Sequence, residues 1–242
     1  MKGIILAGGS GSRLDPLTRV TNKHLLPVYD RPMIFNPINT LAEAGIQDIQ
    51  MVIGGNGVGD IVKICGSGSD FGLTLSYVHQ DKPGGIAQAL KYTKRFANGE
   101  PIVVILGDNI FEDNIKKYVE DFQKNPDMCN LFLTENDQPE RFGVAELDAN
   151  GSVISIEEKP KKPKSNYIVT GLYFYPSNIY DAIGWVEENI GYSWRNELEI
   201  TDVNNYYIQR NQCRAHKLKG FWSDTGTFPT LLRAANFLAR KG

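Results

Sequence analysis

Gly3-Ile4-Ile5-Leu6-Ala7-Gly8-Gly9-Ser10-Gly11-Ser12-Arg13-Leu14 is an apolar run that stops abruptly on glycines. Five small or branched apolar residues with no polar alternation read as a strand buried on both faces, the kind found in parallel sheets. The glycines that follow let backbone N–H groups approach an anion and accept positive φ. In open α/β sheets, ligands bind beyond the carboxyl ends of the strands, where this loop falls. The amides around Gly8, Gly11 and Ser12 are therefore candidate phosphate donors. Arg13 adds a planar fork of donors suited to phosphate oxygens. Two better-known phosphate loops are excluded: a dinucleotide fingerprint needs a third glycine where Leu14 stands, and a Walker A loop needs Gly-Lys-Ser/Thr.

The same rhythm continues downstream. Met33–Ala44 reads as a helix between Pro32 and Gly45. Met51–Ile53 reads as a strand stopped by Gly54-Gly55, Leu73–His79 as a strand and Ile86–Phe96 as a helix. Ile102–Leu106, the most apolar strand, ends on Gly107-Asp108, and Ile115–Phe122 is a further helix. This β-α-β-α order predicts a doubly wound α/β fold with a mainly parallel central sheet flanked by helices.

After about Glu135 the pattern changes. Gly143–Leu147 and Val153–Ile156 flank Asp148-Ala149-Asn150-Gly151, a hairpin signal. A strand over Tyr167–Tyr175, a helix from near Pro176 and a last helix over Phe228–Arg240 follow. The reading is one domain over 1–242, with a nucleotide-binding half over about 1–135 and a smaller mixed β region for a second substrate over 136–242.

Composition narrows the function. Of 242 residues, 41 % are hydrophobic and 22 % charged, with a formal net charge of −2. That balance is ordinary for a globular enzyme, and without a basic face it argues against nucleic acid. No apolar run approaches the length of a membrane span or a signal-peptide core, so a cytoplasmic location is expected. Cys65, Cys129 and Cys213 are scattered without a C-x-x-C pair. They read as small buried hydrophobes rather than as a disulfide framework or a zinc site.

Ten residues after Arg13 comes Lys23-His24-Leu25-Leu26-Pro27-Val28. A lysine held before an apolar segment can point rigidly at the glycine loop. Together, Leu6–Leu14 and Lys23–Val28 resemble the signature of the sugar nucleotidyltransferases, most of all those that move a thymidylyl group to glucose 1-phosphate. Further segments agree in order along the whole chain, among them Gly84–Ala89, Leu106–Asn109, Pro139–Val144, Glu157–Pro160, Val169–Tyr173, Glu197–Asn204 and Trp222–Thr227.

The resemblance implies a Rossmann-like nucleotidyltransferase fold and a list of roles. Asp108 and Asp224 would hold Mg²⁺, which is content with one or two carboxylates plus phosphate oxygens and water. Lys159 would bind the sugar phosphate, with Arg195 as a second cation, while Glu158 accepts hydrogen bonds from sugar hydroxyls. Gly143 and Val169 would offer backbone groups to the sugar. Gln80 and Gly85 match positions that read a pyrimidine edge, for which a Gln amide supplies donor and acceptor. His24 replaces a glutamine common in close relatives and is expected to make a simple polar contact. Asn196 stands where the family more often has glycine, so its loop is expected to differ.

The implied reaction joins dTTP and glucose 1-phosphate to give dTDP-glucose and pyrophosphate. The sugar phosphate is already anionic near neutral pH, so positioning and charge neutralisation carry catalysis. Arg13, Lys23, Asp108, Lys159 and Asp224 form the expected catalytic set. A UTP-using uridylyltransferase and a non-catalytic nucleotide-sugar-binding protein are the alternatives. Longer relatives carry further C-terminal helices, so a short form, monomeric or homodimeric and without a second nucleotide site, is expected.

Overall fold

The computed structural model describes residues 1–9 and 11–241, so Ser10 of the glycine loop lies outside the described residues. The fold is mixed α/β, with a central, mostly parallel sheet flanked by helices. The chain divides into two compact units. One comprises Lys2–Pro83, Ile105–Val119 and Gly220–Gly242, and the other Met1, Gly84–Val104 and Glu120–Lys219. The units interleave along the chain, so contacts do not divide it at the expected boundary near Glu135.

In the first unit, strands Lys2–Ala7, Asp48–Ile53 and Thr74–His79 pair in parallel, with Gly3 opposite Ile49 and Ile49 opposite Leu75. Helices Phe35–Glu43 and Val58–Cys65 connect them. The helix expected from Met33 starts at Phe35, because Arg31-Pro32 instead pairs with Pro27-Val28 in a short ribbon. It stops where expected: Gly45 takes φ 82 and donates its N–H to the Ala42 carbonyl. The Gly107 N–H donates to the Leu6 carbonyl, bringing the end of strand Ile102–Leu106 beside the first strand. A second core gathers Leu14, Leu26, Val28, Met33, Ile110 and Ala234 of the helix Phe228–Ala239.

The second unit is built on antiparallel pairs. Strand Tyr167–Tyr175 pairs with Cys129–Glu135 and with Gly143–Leu147, and the latter forms the expected hairpin with Val153–Glu158. Asp148 holds the turn, its Oδ1 accepting from the N–H groups of Asn150 and Ser152, and Gly151 supplies φ 81. Strand Cys213–Lys217 adds in parallel to Cys129–Glu135. The helix expected over Ile86–Phe96 is two, Ile86–Lys91 and Lys94–Ala97. Thr93 interrupts it, its hydroxyl bonding back to the Leu90 carbonyl and lying 2.8 Å from the Tyr180 hydroxyl. Helices Ile179–Asn189 and Ile200–Ile208 complete the unit.

Candidate active site

The glycine loop is packed too closely for side chains. A Cβ on Gly8 would lie 2.3 Å from Gln80 Oε1, and one on Gly11 would lie 2.8 Å from Lys23 Cβ. Gly11 also takes φ 69 before a single turn over Ser12–Leu14. Leu14 anchors that turn: it is fully buried, and its N–H donates to the Gly11 carbonyl. The residue before it, Arg13, is therefore fixed at its backbone while its side chain reaches solvent. Gln80 is buried at the end of its strand, its N–H on the Ile53 carbonyl. The loop, Gln80 and Lys23 thus form one cluster.

Lys23 is held by its neighbours. It begins a short turn capped by Asn22, whose side-chain oxygen accepts from the His24 N–H while its amide donates to the carbonyls of Gly54 and Asn56. His24 is almost wholly buried, with Nδ1 2.8 Å from Asn22 Oδ1. Burial and the adjacent Lys23 charge push its pKa down to about 3, so the imidazole is neutral and Nδ1–H donates to Asn22. The expected polar contact is present, and it stiffens the lysine turn.

The Lys23 ammonium lies 2.6 Å from Asp108 Oδ2, with 12 % and 13 % of the two side chains exposed. Burial by itself would raise the Asp108 carboxyl. The Lys23 charge and hydrogen bond, helped by an Asn109 amide bond to Oδ1, outweigh it and hold the group well below the usual carboxylate range. Asn109 is oriented in turn by the Trp222 indole N–H, 2.8 Å from its side-chain oxygen.

Asp224 reaches the same place through strand pairing. Trp222–Asp224 runs antiparallel to Asn109–Phe111, with Asp224 opposite Asn109. Thr225 then donates both its N–H and its hydroxyl to the Asp108 carbonyl, each at 2.8 Å. A Cβ on Gly226 would lie 2.7 Å from Arg13 Nη2 and 3.1 Å from Asp224 Oδ2, so the arginine and the second aspartate flank that glycine. Gly8, Gly11, Arg13, Lys23, Gln80, Asp108 and Asp224 all lie in this unit. Two carboxylates beside cations that suit phosphate match the donor set of a Mg²⁺ ion shared with substrate phosphates.

The second group of predicted residues lies in the other unit. Glu158 ends the hairpin opposite Gly143, and Lys159 follows at φ 47 with its N–H on the Phe142 carbonyl. Glu158 accepts from the Thr201 hydroxyl at 2.7 Å and pairs with Lys159 at 3.5 Å and Arg195 at 3.3 Å. Gly143 leaves room for this: a Cβ there would lie 3.4 Å from both Glu158 Oε2 and Thr201 Oγ1. The Asn205 amide clamps the strand end, exchanging two hydrogen bonds with the Ile156 backbone. Val169 is buried in the neighbouring strand.

Arg195 is engaged more heavily than its sequence suggests. It meets Glu199 at 2.8 Å and Glu197 at 3.1 Å as well as Glu158. Burial would lower its pKa, but these carboxylates, Glu199 above all, raise it. Glu197, Glu199 and Thr201 fall within the Glu197–Asn204 segment that resembles the family, and Asn205 lies just beyond it. The signal for Glu199 was its four-residue spacing from Arg195, a recurrent ion-pair spacing. Asn196 takes φ 58, the left-handed conformation that glycine enters freely and asparagine tolerates best of the others. The same loop geometry is thus open to both residues.

Gly85 belongs to this second unit, whereas Gln80 belongs to the first. Its φ is 96, and a Cβ would lie 2.5 Å from the Leu198 carbonyl oxygen. Leu198 and the Gly84–Ala87 segment are tied by two backbone hydrogen bonds, so only glycine fits there.

Known proteins resemble this chain over nearly its whole length. A glucose-1-phosphate thymidylyltransferase of Neisseria meningitidis serogroup A is 42 % identical over 241 residues, covering 98 % of this chain and 82 % of that one. One from Mycolicibacterium smegmatis is 42 % identical over 245 residues, with the same coverage. A Bacillus anthracis protein described as a candidate glucose-1-phosphate thymidylyltransferase, crystallised with a sucrose, superposes with a TM-score of 0.92 at 49 % identity, covering 100 % of this chain and 96 % of that one. A UDP-glucose pyrophosphorylase complexed with UDP-glucose shares the fold at a TM-score of 0.84 and 23 % identity. The nucleotidyl transferase family profile matches residues 2–241, and with relatives this similar over nearly the whole length the chain belongs to that family.

Proposed function

We propose that the protein transfers a thymidylyl group from dTTP to α-D-glucose 1-phosphate, giving dTDP-glucose and pyrophosphate. The observation that carries the reading is the Lys23–Asp108 pair at the mouth of the glycine loop, with Asp224 delivered beside it by strand pairing. The similarity to named thymidylyltransferases supports the choice of nucleotide and sugar.

In this reading the loop amides at Gly8, Gly11 and Ser12, with Arg13 and Lys23, hold the triphosphate and the departing pyrophosphate. Gln80 and Gly85 read the pyrimidine. Lys159 binds the sugar phosphate, Arg195 orders the carboxylates around it, and Glu158 receives sugar hydroxyls, with Gly143 and Val169 lining the sugar. The phosphate oxygen attacks the α-phosphorus in line. Mg²⁺ held by Asp108 and Asp224 would neutralise charge on the reacting phosphates. Lys23 keeps Asp108 ionised until then, so the carboxylate is ready for a metal at any pH above the acid range. Among the described residues no helix is long and apolar enough to cross a membrane. With nucleotide and sugar phosphate as substrates we infer a cytoplasmic enzyme, working as a monomer or homodimer on small molecules alone.

Pyrophosphate release measured across a matrix of dTTP, UTP, ATP, CTP and GTP against several sugar 1-phosphates tests the reading. The expected result is Mg²⁺-dependent release with dTTP and glucose 1-phosphate preferred. One methyl separates thymine from uracil and discriminates by roughly 10–200-fold, so faster release with UTP would make it a uridylyltransferase. No release with any pair would leave a binding protein.

A further inference from the structure

Two of the three cysteines, far apart in sequence, are neighbours in space. Cys213 opens strand Cys213–Lys217, which pairs in parallel with Cys129–Glu135 so that Cys213 and Cys129 are direct partners. Paired residues of adjacent strands point to the same face of the sheet. Strands lie about 4.8 Å apart, within the roughly 4.4–6.8 Å between Cα atoms that a disulfide spans. The Cys129 N–H also donates to the Gln212 carbonyl at 2.9 Å, which fixes the two strand starts against each other.

Their surroundings differ. Cys129 is fully buried beside Tyr175 and Tyr207, and burial pushes its thiol well above the ordinary value. Cys213 is only half-buried and begins a strand with a single sheet neighbour, so reagents in water can reach it. Cys65, by contrast, is buried in the other unit, its pKa pushed up to about 12 by burial.

We propose that Cys129 and Cys213 form a reversible disulfide when a hydroperoxide reaches Cys213. In the first step the Cys213 thiolate attacks a peroxide oxygen and the O–O bond breaks. Cys213 becomes a sulfenic acid, and hydroxide leaves and takes a proton to become water. In the second step the Cys129 sulfur attacks the Cys213 sulfur and the S–O bond breaks. Hydroxide leaves with the Cys129 proton as a second water, and the S–S bond forms. Two thiols lose two electrons and hydrogen peroxide is reduced to two waters. A dithiol reductant reverses the change. The buried partner is the resolving thiol, and its position against Cys213 competes with over-oxidation to the sulfinic acid. The product fastens an edge strand to its neighbour and closes a long loop, which constrains the unfolded chain.

The test treats the reduced full chain with hydrogen peroxide, then counts thiols under denaturing conditions and maps peptides without reduction. Titratable thiols should fall from three to one, with one cross-linked peptide pair containing Cys129 and Cys213, and dithiothreitol should restore all three. The thermal midpoint of the oxidised form should rise. Cys65→Ser should still cross-link, falling from two thiols to none, whereas Cys213→Ser should keep both of its thiols. Cys129→Ala, which spares the half-buried position, should instead give Cys213 over-oxidised and no cross-link. Three thiols surviving treatment would overturn the proposal. So would a sulfinic acid on Cys213 beside an intact Cys129 thiol in the unsubstituted chain, or a cross-link through Cys65 or between chains.

Discussion

Lys23 and Asp108, 85 residues apart in the chain, meet as an ion pair of 2.6 Å that is almost withdrawn from water. Such a pair gains little net stability over a well-packed apolar substitute, yet losing one partner strands the other charge. Its use lies elsewhere: it holds a lysine and a carboxylate, both suited to phosphate and metal, in fixed positions before either ligand arrives.

The pair also sets an acid limit on the fold. Asp108 is held below its unfolded value, so the unfolded chain binds the extra proton as pH drops beneath about 4. The stabilisation is complete above that value and is lost as pH falls through the lower folded value. Urea midpoints of the protein and of Asp108→Asn should differ by a constant amount from pH 5 to 7 and converge below about pH 4. A difference that instead widens towards low pH would contradict the assignment.

His24 works in a separate window. Its folded pKa of about 3 lies below the ordinary 6.5. The unfolded chain therefore takes up a proton between those values that the folded chain refuses, and stability falls with pH by about 1.4 kcal/mol per unit there. His24→Gln should flatten the urea stability curve between about pH 6 and 4. An unchanged slope would mean that the ring is protonated when folded.

Substitution of the aspartates separates chemistry from folding. Asp108→Asn and Asp224→Asn should each slow turnover by about 10²-fold or more while the far-ultraviolet circular dichroism stays normal, because Mg²⁺ prefers charged oxygens. Near-normal rates in both variants would remove the metal assignment.

Lys159→Ala should raise the KM for the sugar phosphate more than that for the nucleotide. A lost charge-assisted contact of about 1.5–3 kcal/mol corresponds to roughly 10–150-fold. An effect confined to the nucleotide would mean that the two substrates have been exchanged.

Gly85→Ala should destabilise by more than about 1 kcal/mol, since the new methyl meets the Leu198 carbonyl and the positive φ is strained for alanine. Gly184→Ala, within the helix Ile179–Asn189 and with open space around it, should be neutral or gain about 0.5–1 kcal/mol. The thermal midpoint should fall for Gly85→Ala and hold or rise for Gly184→Ala; an unchanged midpoint for Gly85→Ala would count against the close approach there.

Much was legible locally. The strand running into the glycine loop, the hairpin around Asp148–Gly151 and strand Tyr167–Tyr175 each follow from apolar patterning and turn chemistry within a short stretch, and the structure has them there. Helix Val58–Cys65, strands Cys129–Glu135 and Cys213–Lys217 and helix Ile200–Ile208 are not legible in the sequence, since their patterns are short or mixed and packing decides them. Tertiary structure alone decided who meets whom. The chain returns through both units more than once, so Asp224 reaches Asp108 only because strand Trp222–Asp224 pairs with Asn109–Phe111. Arg195 meets the distant Glu158 only through the tertiary fold, and Cys213 settles against Cys129 through strand pairing. A sequence records which chemistry is available at each strand end and how rigid each turn must be. Contacts between distant segments depend on which strands share a hydrogen-bonded edge, and no local pattern of apolar residues encodes that.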